Sequence, residues 1–88
     1  MPWDYSFDAR ALKELKKLDP QAQREILRFL DQRIQGSTDP RLFGKPLRSE
    51  LAGLWRYRVT HYRILCQIQD HHLIVLVVAV GDRKTIYE

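Results

Sequence analysis

Trp3, Tyr5 and Phe7 alternate with polar neighbours, the two-residue period of a strand that lays one face on a core. The period then lengthens. Ala11, Leu12, Leu15 and Leu18 recur at helical spacing, with Ser6 or Asp8 available as the N-cap, and Asp19-Pro20 ends the run. Asp19 can cap a second helix with Pro20 at its first position, where a missing N–H is no loss, and Ala22, Ile26, Phe29, Leu30 and Ile34 form its apolar stripe. Residues 36–40, GSTDP, have turn chemistry, and the loop 41–53 carries Phe43 and Leu47 as anchors. Three further strands are predicted at 54–59, 62–69 and 73–80, joined by turns too short for anything but antiparallel pairing. The order is βααβββ. It implies one α+β domain over residues 1–88, with a helical hairpin packed on one face of a mainly antiparallel four-stranded sheet.

If Thr60 and His61 form the turn of the first hairpin, Val59 pairs with Tyr62 and Arg58 with Arg63, and Arg56 lies diagonally beside them on the same face. Trp55, Tyr57 and Val59 then point the other way with Ile64, Cys66 and Ile68, toward the helices. The sheet acquires an apolar face and a cationic one. Like charges directly across a ladder destabilise it by up to about 1 kcal/mol, so a surface that keeps them invites a polyanion; a merely solvated outer face is the plainer alternative. Leu65, Ile74, Leu76 and Val78 share the cationic face as an apolar strip of the kind that marks interaction sites.

Charge distribution sharpens this picture. The net charge is +4, yet residues 8–34 are nearly balanced, with seven Lys/Arg against five Asp/Glu. From Arg41 to Arg63 six basic residues (Arg41, Lys45, Arg48, Arg56, Arg58, Arg63) face one acid, Glu50. The positive field belongs to the second half and suits nucleic acid or an acidic protein. In the meander, Gly81, Asp82 and Arg83 come near Arg63 and the Thr60-His61 turn, and Tyr87 reaches the same rim.

Other chemistry is sparse. Cys66, the one cysteine, sits within an apolar strand as a buried, inert thiol. His61, His71 and His72 lack ligand spacing, so neither a metal nor another cofactor is expected, and His71 and His72 read as solvated loop residues. The start, MPWDYSFDAR, has no basic stretch followed by an apolar run, and the longest apolar run, residues 73–80, is far too short to span a bilayer. A cytoplasmic protein with no membrane partner is expected.

ALKELKKLDP, the GKPL loop, LAGLWRYRVTHYRILCQIQD and LVVAVGDRKTIYE together resemble the RelE/ParE superfamily of bacterial and archaeal type II toxins, and its RelE branch most. The WRYRV-x-x-YRI hairpin and the ending VG-x-R-x-x-x-Y carry most of the likeness. The resemblance implies a fold like the microbial ribonucleases. It also implies an endoribonuclease that enters the A site of the 70S ribosome and cuts mRNA with the strand's own 2′-hydroxyl as nucleophile.

Such a reaction needs a base, stabilisation of charge on the phosphoryl oxygens, and an acid for the leaving 5′-oxygen. By resemblance, Arg63, Arg83 and Tyr87 form the catalytic set, with Arg83 at the scissile phosphate and Tyr87 stacking or exchanging a proton. Arg83 and Tyr87 are expected outside the core, and Arg63 on the cationic face turned away from it. Arg56, Arg58, Lys45, Arg48 and His61 would bind RNA. The founding RelE toxin has lysines where Arg56 and Arg58 stand, and arginine is a poor base. Tyr87, then His61, are the candidates for that role. The resemblance also implies a cognate RelB-like antitoxin in a hetero-oligomer, with an acidic amphipathic segment that wraps the toxin. A ParE-like poison of DNA gyrase, lacking nuclease activity, is the alternative, followed by a stand-alone RNA-binding domain.

Overall fold

The computed structural model describes residues 2–82. Its regular elements are β1 (Asp4–Phe7), α1 (Ala9–Lys16), α2 (Pro20–Phe29), β2 (Lys45–Pro46), β3 (Trp55–Val59), β4 (Tyr62–Gln69) and β5 (Ile74–Asp82). Asp8, not Ser6, caps α1: its carboxylate accepts from the Ala11 N–H at 2.8 Å, and Asp19 does the same for Ala22 at 2.7 Å. Each such cap contributes about 1 kcal/mol. Beyond Phe29 the second helix widens into a π-helical turn, Leu30–Ile34, that keeps both end residues fully buried. Gly36 leaves that turn at φ 78° and its N–H donates to the Trp3 carbonyl at 2.7 Å, tying the helix exit to the start of β1.

The sheet has five strands, in the order β1-β5-β4-β3-β2, with β1 parallel to β5 and the rest antiparallel. The strand missing from the sequence expectation is β2. Two residues, one of them proline, show no alternation for a pattern to register, and proline is tolerated there because β2 is an edge.

The main core lies between the helices and the inner sheet face. Tyr57, Val59, Ile64, Cys66, Val75, Val77 and Val80 meet Ala11, Leu15, Ile26, Leu30 and Ile34. One irregularity shapes this layer. Leu65 and Cys66 are adjacent on β4 but oppose Ala79 and Val77 on β5, so Val78 is the extra residue of a bulge. The inward phase consequently passes from Val75 and Val77 to Val80, and Gly81 is brought opposite Arg63.

A second, smaller cluster sits on the outer face, where Leu47, Leu65 and Ala79 are buried with Leu51, Leu54 and Val78 against them. Residues 47–54 cover it, closed by a bond from the Leu47 N–H to the Leu54 carbonyl at 2.9 Å. This corrects the expected open apolar strip: Leu65 is buried beneath the loop, Val78 packs on the same cluster, and Ile74 and Leu76 stay half-buried. Of the two predicted anchors Leu47 is buried, whereas Phe43 is 38% exposed, its ring 5.8 Å from the Arg33 guanidinium carbon. Among the described residues no helix is long and apolar enough to cross a membrane.

Candidate nucleic-acid interface

The β3–β4 hairpin turns on Thr60 and His61, and its register pairs Val59 with Tyr62, Arg58 with Arg63 and Arg56 with Leu65. Because Tyr57 and Val59 are buried in the inner core, Arg56 and Arg58 occupy the outer face. β2 extends the same row: Lys45 lies directly opposite Arg56. Two like-charged cross-strand pairs, Lys45–Arg56 and Arg58–Arg63, therefore stand one step apart along β3.

The four cations differ in exposure. Lys45 and Arg58 are exposed and Arg56 is half-buried. Arg63 is 3% exposed, against the expectation that it lies outside the core. Its neighbour across the β5 ladder is Gly81, which presents no side chain at that position, so the long arginine stem can lie down on the sheet. Its Nη1 is 3.5 Å from the Tyr62 carbonyl.

The remaining sequence-predicted residues fall at the edges of this face or beyond it. His61 is exposed in the turn, its ring centroid 4.2 Å from that of Tyr62. Asp82 pairs with Tyr62, so the end of β5 does reach the hairpin turn as expected. Arg48 is exposed on the covering loop, just before the short helical turn Ser49–Leu51, and holds no register position in the sheet. Arg83 and Tyr87 lie outside the described residues. His71 and His72 are exposed in the β4–β5 turn, at the opposite end from Thr60 and His61.

A set of contacts not anticipated from the sequence fastens residues 40–44 to the sheet. The fully buried Tyr57 donates its hydroxyl to the Pro40 carbonyl at 2.8 Å, and its ring lies 5.4 Å from that of Phe29. Burial pushes the Tyr57 phenol well above its ordinary pKa, which keeps it a neutral donor. Arg41 grips Asp70 with both terminal nitrogens, at 3.0 and 2.8 Å, and holds that carboxyl below its usual range. The Arg41 guanidinium carbon also lies 5.6 Å from the Trp55 ring centroid. Alternation put Tyr57 inward, but nothing in sequence spacing reveals that its partner is a backbone carbonyl seventeen residues earlier.

Cys66 is buried as expected; its Sγ is 3.6 Å from the Trp55 carbonyl, and burial pushes the thiol up to about 12. A thiol that resists ionisation is a poor nucleophile.

Residues 5–87 match the family described as ParE toxin of type II toxin-antitoxin system, parDE. The chain is 37% identical over 87 residues to Toxin RelG of Mycobacterium tuberculosis, covering 99% of this chain and 98% of that protein. It is 28% identical over 86 residues to the mRNA interferase toxin RelE of Escherichia coli, covering 96% and 86%. The solved toxin-antitoxin complex RelBE2 from Mycobacterium tuberculosis contains a chain that superposes with a TM-score of 0.85 at 34% identity, over 94% of this chain and 100% of that one. The protein belongs to the ParE toxin family, within the RelE/ParE superfamily, and is a type II toxin of the RelE kind.

Proposed function

We propose that this toxin is an endoribonuclease that cuts mRNA in the A site of the ribosome. The observation that carries the reading is the register of Lys45 against Arg56 and Arg58 against Arg63 on the sheet face turned away from the helices. Four cations gathered at adjoining register positions on one sheet face suit a strand of phosphates. Lys45, Arg48, Arg56 and Arg58 hold the RNA backbone, with His61 at the edge. Arg63, Arg83 and Tyr87 act at the scissile phosphate.

In the step itself the 2′-oxygen of one nucleotide attacks its own 3′-phosphorus while the 5′-oxygen of the next nucleotide leaves. A 2′,3′-cyclic phosphate and a free 5′-hydroxyl result. The proton lost from the 2′-hydroxyl and the proton gained by the 5′-oxygen need carriers, for which Tyr87 is the first candidate and His61 the second. Guanidinium groups stay protonated and serve the charge that develops on the phosphoryl oxygens. With so few acid–base groups, positioning on the ribosome supplies much of the effect.

A RelB-like antitoxin with an acidic segment would neutralise the cationic face; the likeness to a chain of the RelBE2 toxin-antitoxin complex supports such a partner. The second reading, a gyrase poison, draws on the description of the matched family as the parDE toxin. Ribosomes programmed with a defined mRNA, compared with the same mRNA free in solution, test the first reading. Cleavage confined to the programmed ribosomes is expected. Equal cleavage of the naked RNA, or none in either sample, would overturn it.

A further inference from the structure

Lys45 reaches its place opposite Arg56 through a strand only two residues long. So short an edge strand cannot hold its own register by ladder hydrogen bonds, and facing one cation with another works against it. Its position must come from what flanks it. On the N-terminal side, Gly44 packs so tightly on β3 that a Cβ there would come 2.9 Å from the Arg56 carbonyl oxygen and 2.9 Å from the Tyr57 ring. Its φ is −134°, so the demand is for space, not for an unusual backbone conformation. A few residues earlier, the Tyr57 hydroxyl holds the Pro40 carbonyl at 2.8 Å. Tyr57 is itself the residue between Arg56 and Arg58, so one side chain fixes both the arginine strand and the loop that brings Lys45 to it.

We propose that Gly44 and Tyr57 are positioning residues that set Lys45 beside Arg56, so that adjacent phosphates of one RNA strand are held from two strands of the sheet, one by each cation. This rests on the RNA-binding reading above. Neither residue touches the RNA. Gly44 admits the loop to within contact of β3, and the buried Tyr57 pins it, so the Lys45 backbone keeps its place opposite Arg56.

The test is the salt dependence of binding between the full-length toxin and a fluorescein-labelled single-stranded oligouridylate, read by anisotropy without ribosomes. Each phosphate contact on a single strand contributes a slope of about −0.7 to log K against log salt. Lys45→Met should flatten the slope by about 0.7. Gly44→Ala, which keeps the lysine, should flatten it by a similar amount, and the double variant should show no further change. Tyr57→Phe removes the fastening while filling the same space, and should also flatten the slope; it decides the matter if Gly44→Ala does not fold. An unchanged slope in Tyr57→Phe and in any folded Gly44→Ala, beside a flattened one in Lys45→Met, would show that these residues matter for stability alone and overturn the proposal. So would an unchanged slope in Lys45→Met, or no binding by the unaltered toxin. Cleavage on ribosomes, measured separately, distinguishes the two readings. Binding with the expected slopes but no cleavage removes the nuclease reading and leaves this one. Cleavage with unaltered slopes does the reverse.

Discussion

Arg58 and Arg63 face each other directly across the β3–β4 ladder, yet Arg58 is exposed and Arg63 is 3% exposed. The same residue type at one register position therefore has two environments, and the two alanine variants should separate. Arg58→Ala should weaken RNA binding while changing stability by no more than about 0.5 kcal/mol, the usual range for a surface site, with relief of repulsion offsetting lost contacts. Arg63→Ala should lower cleavage about 100- to 1,000-fold, if it serves the transition state, and also destabilise by roughly 1–3 kcal/mol, because a buried stem is removed. Thermal melts beside cleavage assays read both. An Arg63→Ala protein that melts like the parent would contradict the burial argument.

Glu14 joins the first helix to the last strand: its Oε1 accepts from the Val80 N–H at 2.9 Å, just past the bulge that sets the phase of β5. Glu14→Ala should cost about 1–3 kcal/mol, the penalty for leaving a partly buried donor without its acceptor. Glu14→Gln keeps a carbonyl acceptor and should recover much of that loss. Equal denaturant midpoints for the two variants would mean the bond contributes little.

Thr60 opens the β3–β4 turn at φ 53°, a conformation costly for a β-branched residue and readily adopted by asparagine. Thr60→Asn should therefore raise stability by up to about 1 kcal/mol without altering the register of the arginines. A lower melting temperature would show that the Thr60 hydroxyl, 2.7 Å from the Val59 carbonyl, outweighs the backbone strain.

Alkaline pH should expose the burial of Cys66. Its pKa rises from 9.0 to about 12 in the fold, so below pH 9 its contribution to stability is fully present, and it is lost as pH climbs from 9 toward 12, where only the unfolded thiol ionises. Tyr57, raised by burial, acts in the same direction at higher pH. Cys66→Ser removes the titrating group, and the loss of stability between pH 9 and 10 should become shallower. Native Cys66 should also resist iodoacetamide at pH 8 and react once denatured. Rapid labelling of the native protein would contradict its burial.

Much of the fold was legible because its long elements obey simple periods. The arginine pairing followed from a two-residue turn and a period of two, and the Asp19 cap from residue type, whereas for α1 residue type left Ser6 and Asp8 both open. What escaped were features fixed by tertiary contact. β2 exists because Gly44 can approach Tyr57, and a pattern search has no access to that distance. Arg63 was expected at an open rim because charge ordinarily seeks water; its burial, and the bulge at Val78 that sets Gly81 opposite it, are tertiary features that no period shows. The covered cluster of Leu47, Leu65 and Ala79 likewise required knowing where residues 47–54 fold back. The family ending that drew attention to Arg83 and Tyr87 was visible only through resemblance, as no periodicity singles them out.

Nuclease and gyrase poison separate in a translating extract containing supercoiled plasmid and gyrase, in which new mRNA 5′ ends and DNA breaks are scored after adding the toxin. Cuts in mRNA clustered at ribosome-occupied codons and carrying 5′-hydroxyl ends are expected, with the plasmid intact and the cuts lost in Arg83→Ala. Gyrase-dependent DNA breaks with uncut mRNA would contradict the nuclease reading and assign the protein to the gyrase-poisoning side of its superfamily.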